Sequence, residues 1–218
     1  MMSETNTKTK LYTLGEEIMN AVTHGVGALL SVAATVIMIV FAAKYNTALA
    51  VVSASIFGAT LIILYTSSTL YHAFTHENAK ALFRIFDHCT IFLLIAGSYT
   101  PLSLLAIGGK LGWILFGVVW GVAILGIILN AISIKRFAKL SMILYLAMGW
   151  AAVATFSPLK AALGTGGLTL LIAGGLAYTI GVIFYALHKY KFMHSIWHLF
   201  VLAGSILHFF CVLLYVIM

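Results

Sequence analysis

The sequence predicts an all-helical integral membrane protein, a bundle of seven transmembrane helices with its N-terminus in the cytoplasm and its C-terminus outside. Three observations predict this. The 218 residues are 63% hydrophobic and only 8% charged, whereas soluble domains carry about 25% charged residues. The mean hydropathy is +1.12, more apolar surface than a soluble core of this length can hide, so the solvent must largely be lipid. The apolar residues also fall into runs long enough to cross a bilayer, separated by short basic turns.

A helical span needs about 17–25 apolar residues. Seven runs meet that length, at 21–43, 48–71, 86–107, 112–133, 140–157, 166–187 and 195–217. The first, Ala21 to Ala43, exceeds the apolar core of a signal peptide and is expected to remain as the first span. The fifth is the shortest, and Ser157-Pro158 is expected to close it. The runs are continuously apolar rather than alternating, which argues against a β-barrel. Residues 1–15 are expected to form a short polar cytoplasmic segment, and 16–218 a single transmembrane domain. Gly117-x3-Gly121 and Gly174-Gly175 are expected at close helix contacts. Trp113, Trp150, Trp197 and most tyrosines fit interface belts and core packing. Cys89 and Cys211 lie at different depths and imply no disulfide.

Basic residues set the orientation. With seven spans, the N-terminus and the 2–3, 4–5 and 6–7 turns share one side. They carry Lys8, Lys10, Lys80, Arg84, Lys135, Arg136, Lys139, Lys189 and Lys191, against Lys44, Lys110 and Lys160 on the other. The positive-inside rule places the richer side in the cytoplasm. The formal charge of +7 is thereby explained by headgroups, and no nucleic-acid partner is expected. The expected partners are membrane lipids.

Ionisable residues at membrane depth are costly and are functional candidates by default. The topology brings Ser68 and His72 (end of the second span), Asp87 and His88 (start of the third) and His194 and His198 (start of the seventh) to similar depth at the cytoplasmic face. Residues four apart share a helix face, about 6 Å apart along the axis. His194 and His198 can therefore face one ion, and His72 would add a third nitrogen. Three histidines with one position left open form the ligand set of a catalytic-type zinc site, although imidazole also suits other first-row metals. Asp87 would stand in the outer shell, holding water or a ligand imidazole, and Ser68 would hydrogen-bond water or a substrate carbonyl. Random placement of eight histidines yields roughly 0.3 pairs at a spacing of four. The sequence has two, His72/His76 and His194/His198. On spacing alone, the metal reading stands beside a plainer one, in which interfacial histidines are satisfied by water and backbone.

The remaining histidines are assigned elsewhere. His76 is expected in solvent and His188 at the interface. His208, about 15 Å deeper than His198, is expected as a hydrogen-bonded core residue. Glu17, Asn20 and His24 share a face at the start of the first span and can form an outer shell or a substrate-entry wall.

The stretches Ser67-Ser68-Thr69-Leu70-Tyr71-His72, Phe86-Asp87-His88 and His194-Ser195-Ile196-Trp197-His198 resemble the hemolysin III family, the bacterial branch of the progestin and adipoQ receptor proteins. Ala96-Gly97-Ser98-Tyr99-Thr100-Pro101 and Glu17-x2-Asn20-x3-His24-Gly25 also look typical of it, and the likeness runs from about residue 12 to the end. The resemblance implies a seven-helix bundle in the bacterial inner membrane. It implies zinc on His72, His194 and His198, with Ser68 and Asp87 as the associated polar residues. The wider superfamily includes alkaline ceramidases, which implies a zinc-dependent hydrolase of a lipid amide or ester acting in membrane lipid homeostasis. Two alternatives remain at this point, a sensor of membrane state with structural zinc and, with less support, a pore. The outer halves of the spans hold no charged path across the membrane.

Overall fold

Thr13 starts the first helix with a capping box. Its hydroxyl accepts from the Glu16 amide at 3.4 Å, and its own amide donates to the Glu16 carboxylate at 2.9 Å. A computed structural model describes residues 12–187 and 189–218, and all regular elements among them are helical. They are α1 (Leu14–Tyr45), α2 (Ala48–Ala73), α3 (Glu77–Pro101), α4 (Gly109–Gly149), α5 (Phe156–Ala186) and α6 (Met193–Val212). Widened π turns, Leu102–Ile107 and Leu213–Ile217, extend α3 and α6, and a 3-10 turn, Ala151–Thr155, joins α4 to α5.

Among the described residues, five helical stretches are long and apolar enough to cross a membrane, one of them the 78 residues Gly109–Ala186. On α1, Leu29, Val32, Val36 and Val40 are all half or more exposed. Each such side chain left in water would forgo about 1.5–3 kcal/mol of burial, so this face belongs in lipid. The inner faces form two main clusters. Phe57, Leu61, Leu64, Tyr65 and Val201 join α2 to α6, and Phe92, Tyr99, Val119 and Met148 join α3 to α4.

The long stretch is not uniformly helical. Ser133 is extended (φ −167°, ψ 104°), and Gly164 takes φ 59°, ψ −170°. Ser133 Oγ accepts from the Arg136 amide at 3.3 Å, the bond of an N-cap serine. The two arms of α4 are then tied together, since Ser141 Oγ donates to Asn130 Oδ1 at 2.6 Å. Tyr145 OH, from the second arm, donates to the His88 carbonyl on α3 at 2.8 Å.

Two sequence expectations change. The helix expected to close at Ser157-Pro158 ends instead at Gly149, and Pro158 lies in the first turn of α5. Amides there have no intrahelical acceptor, so proline gives up nothing. Gly117 and Gly121 face open space rather than a neighbouring helix, because this face of α4 points outward. Gly174 does pack closely: a Cβ there would collide with the His208 ring, whereas Gly175 meets nothing.

The turn into α4 has a stricter requirement. Gly108 and Gly109 take φ 63° and 54°, and the Gly108 amide donates to the Ser103 carbonyl at 2.9 Å. A Cβ on Gly112 would collide with that same carbonyl oxygen, and backbone cannot rotate aside as a side chain can. Gly112→Ala is expected to destabilise the fold by about 1–3 kcal/mol, read as a lower thermal midpoint in detergent. Gly117→Ala, which enters open space, should stay within about 0.5 kcal/mol of wild type.

Candidate metal centre

The site forms where the end of α2 meets the start of α6, with α1 alongside. His72 lies in the last turn of α2, and His194 and His198 lie one turn apart at the start of α6. Phe192 precedes α6 in the left-handed region (φ 63°), and its amide donates to Glu16 Oε1 at 2.9 Å. That bond latches the start of α6 to the first turn of α1.

His72, His194 and His198 are all buried, and one ring nitrogen from each lies within 4.8 Å of the other two. His194 Nε2 and His198 Nε2 are 3.1 Å apart. Tetrahedral zinc with Zn–N bonds of about 2.0–2.1 Å holds its nitrogen ligands roughly 3.3 Å apart, so the pair is spaced for one ion.

The outer ring nitrogens set the tautomers. His72 Nδ1 is 2.6 Å from Glu17 Oε2. A carboxylate accepts, so Nδ1 carries the hydrogen and Nε2 is a bare lone pair. That Nε2 is buried without a hydrogen-bond partner among the described residues, which costs about 1–3 kcal/mol unless something occupies it. His198 Nδ1 is 3.3 Å from the Asn20 carbonyl and 3.3 Å from Thr23 Oγ1. The carbonyl again fixes the hydrogen on Nδ1 and leaves Nε2 free to ligate. Ligand histidines typically donate their second N–H to an oxygen in this way. The donor set therefore fits a metal such as zinc.

Glu17, Asn20 and Thr23 follow one another at three-residue steps along α1, so this helix supplies the oxygens behind two ligands. Asn20 Oδ1 also accepts from Ser195 Oγ at 2.6 Å. Lys80 Nζ is 2.9 Å from Glu17 Oε1 and donates to the Tyr71 and Phe74 carbonyls at 3.0 and 3.3 Å, holding the end of α2. The His24 ring stacks on His198 at 3.5 Å and 9°, and neither of its nitrogens has a hydrogen-bond partner among the described residues. Tyr12 is buried and stacks on His194 at 5.1 Å.

The other sequence candidates lie nearby. Ser68 Oγ, one turn before His72, is buried and has no partner among the described residues. Asp87 shares a cavity wall with His24, His194, His198 and Tyr185, but its oxygens are outside the converging set. His88 turns along its own helix, with Nδ1 2.9 Å from the Arg84 carbonyl and 3.6 Å from Asp87. His76 is exposed at the start of α3, His188 lies outside the described residues, and His208 bonds the Leu171 carbonyl. Both cysteines are buried and free.

A family profile described as "Haemolysin-III related" matches residues 12–209. The chain belongs to this haemolysin-III-related family. It is 48% identical to "Hemolysin-3" of Bacillus cereus over 93% of this chain and 92% of the relative. It is likewise 48% identical to "Hemolysin-3 homolog" of Bacillus subtilis (strain 168), over 94% and 96%. A more distant relative is the human "Monocyte to macrophage differentiation factor", 29% identical over 74% of this chain and 69% of the relative. This haemolysin-III relative is thus a multi-pass membrane protein with a buried histidine triad that can hold a metal ion. Sequence reasoning left Glu17 in an outer shell or entry wall, used Lys80 only to set the orientation, gave Ser195 no role of its own and passed over Thr23. Their signal was the step of three residues along α1 and the adjacency of Ser195 to His194.

Proposed function

We propose that this haemolysin-III relative crosses the bacterial inner membrane seven times and hydrolyses an amide or ester bond of a membrane lipid at its cytoplasmic face, with zinc on His72, His194 and His198. The N-terminus is cytoplasmic and the C-terminus outside. The breaks at Ser133 and Gly164 support the seven spans, because they divide the 78-residue stretch into three. Lys80 and Arg84 support the orientation, because they lie at the same end of the bundle as the triad.

The observation that carries the reading is the convergence of three buried histidine nitrogens, with Asp87 on the cavity wall that two of them, His194 and His198, also line. When bound, zinc supplies a Lewis acid for the carbonyl and brings water deprotonation to about neutral pH. Asp87 takes the proton from the attacking water and returns it to the leaving nitrogen or oxygen. Ser68 Oγ, which has no other partner among the described residues, donates to the carbonyl oxygen. Trp197 and Tyr185 wall the cavity and limit the entry of water.

The test is purified, zinc-loaded protein incubated with total bacterial lipid, with species loss followed by mass spectrometry. Asp87→Asn is expected to retain zinc and lose about 10²–10⁴-fold in rate, the usual contribution of a general acid–base group. Identical lipid profiles with zinc-loaded and zinc-stripped wild type would sink the hydrolase reading. A second reading is favoured by the way α1, α2 and α6 all contribute to the centre: zinc holds the bundle together, and the protein regulates membrane state without turnover. That reading expects zinc-dependent stability with unchanged lipids.

A further inference from the structure

Ten residues beyond His198, and so about 15 Å further along the helix, α6 carries a third histidine, one with no part in the triad. Ionisable side chains at such depth are rare and mark functional contacts. His208 Nε2 is 3.2 Å from the Leu171 carbonyl. The carbonyl only accepts, so Nε2 holds the hydrogen and Nδ1 is a bare acceptor. That Nδ1 is buried and has no hydrogen-bond partner among the described residues. The ring is held in place, edge-on to Tyr178 at 5.3 Å and against Gly174, where any Cβ would collide with it.

His208 lines two cavities of about 90 and 50 Å³. The larger shares Leu64, Ile91, Trp197 and Val201 with the cavity beside the triad. Together they form a row of mostly apolar spaces running from the triad into the bundle. The hydroxyl groups lining the two cavities at His208, and the Trp150 indole, already have hydrogen-bond partners. Ser98 donates to the Ile95 carbonyl, Tyr99 to the Gly149 carbonyl and Thr179 to the Gly175 carbonyl, while Trp150 donates to Thr179 and Tyr178 bonds Ser205. His208 Nδ1 is thus an acceptor waiting for a donor. A buried water typically makes about three hydrogen bonds, of which His208 Nδ1 can accept one. A hydroxyl fixed to an apolar chain needs only that one.

We infer that these spaces join into one path that binds a lipid chain bearing a hydroxyl group, whose O–H donates to His208 Nδ1. The site is distinct from the triad and stands whether or not the bound lipid is cleaved.

The experiment is competition for radiolabelled stearic acid on purified protein, using a positional series of hydroxystearic acids. One chain position is expected to bind roughly tenfold more tightly than stearic acid, the yield of one neutral hydrogen bond, with little gain at distant positions. His208→Leu should level the series at the affinity of stearic acid. His194→Ala, which removes a triad ligand, should keep the preference, so failure of the hydrolase reading and failure of this one remain separate. A flat series in wild type, absence of saturable binding, or a preference that survives His208→Leu would each overturn the proposal. If His208→Leu does not fold, the wild-type series decides alone.

Discussion

Zinc is expected to stabilise the wild-type protein against heat, and His198→Ala is expected to abolish that increment. Ligand that binds only the folded state adds RT ln(1 + [L]/Kd), about 2.7 kcal/mol at a hundredfold excess over Kd. The triad exists only when α2 and α6 are packed together, so the binding energy reports folding. Alanine at 198 removes one ligating nitrogen and the ring on which His24 stacks. The variant will therefore be less stable even without metal, as a buried ring is lost. The decisive readout is the difference in thermal midpoint with zinc and with chelator, measured in the same detergent. That difference should vanish in His198→Ala and His194→Ala. It should persist in His76→Ala, because His76 is exposed at the start of α3. An equal increment in wild type and His198→Ala would remove the triad as the zinc site.

The sequence carried much of this centre because its constraints are local. His194 and His198 share a face by helical period alone, and apolar runs with basic turns bring His72 to their depth. What it could not carry was pairing across helices. Glu17 was visible as an acidic residue on the face of Asn20 and His24, yet nothing in spacing says that its carboxylate reaches His72, fifty-five positions away. The glycine pairs fail in a similar way. Gly117 and Gly174 look alike as small residues in apolar runs, but one faces open space and the other packs on His208. Which side of a helix faces lipid is weakly marked when nearly all its residues are apolar. The boundary at Pro158 was misplaced because proline breaks a helix interior but is tolerated in a first turn. His208 was legible as a buried, hydrogen-bonded histidine. The bare Nδ1 was not, since it depends on which nitrogen meets the Leu171 carbonyl.

Glu17→Leu is expected to weaken zinc binding by about 10–100-fold, the usual consequence of removing an outer partner from a ligand histidine. The carboxylate does two things to His72. It fixes the hydrogen on Nδ1, so that Nε2 presents a lone pair, and its negative charge raises the basicity of the ring. Glu17→Gln separates these roles. The amide oxygen can still accept from Nδ1 at the same place, but the charge is gone. Its affinity should therefore fall between wild type and Glu17→Leu. Lys80→Met leaves the Glu17–His72 bond in place and removes a partly exposed ion pair together with the bonds to the Tyr71 and Phe74 carbonyls. Such pairs contribute about 0–1 kcal/mol, so its zinc affinity should change by less than about fivefold. Competition with a chelating dye gives all four affinities without any assay of turnover, and the ratio of Glu17→Gln to Glu17→Leu measures what the hydrogen bond contributes beyond the charge. Equal zinc affinity in wild type and Glu17→Leu would mean that His72 is oriented by packing alone, and the short bond from α1 would then serve only to join α1 to α2.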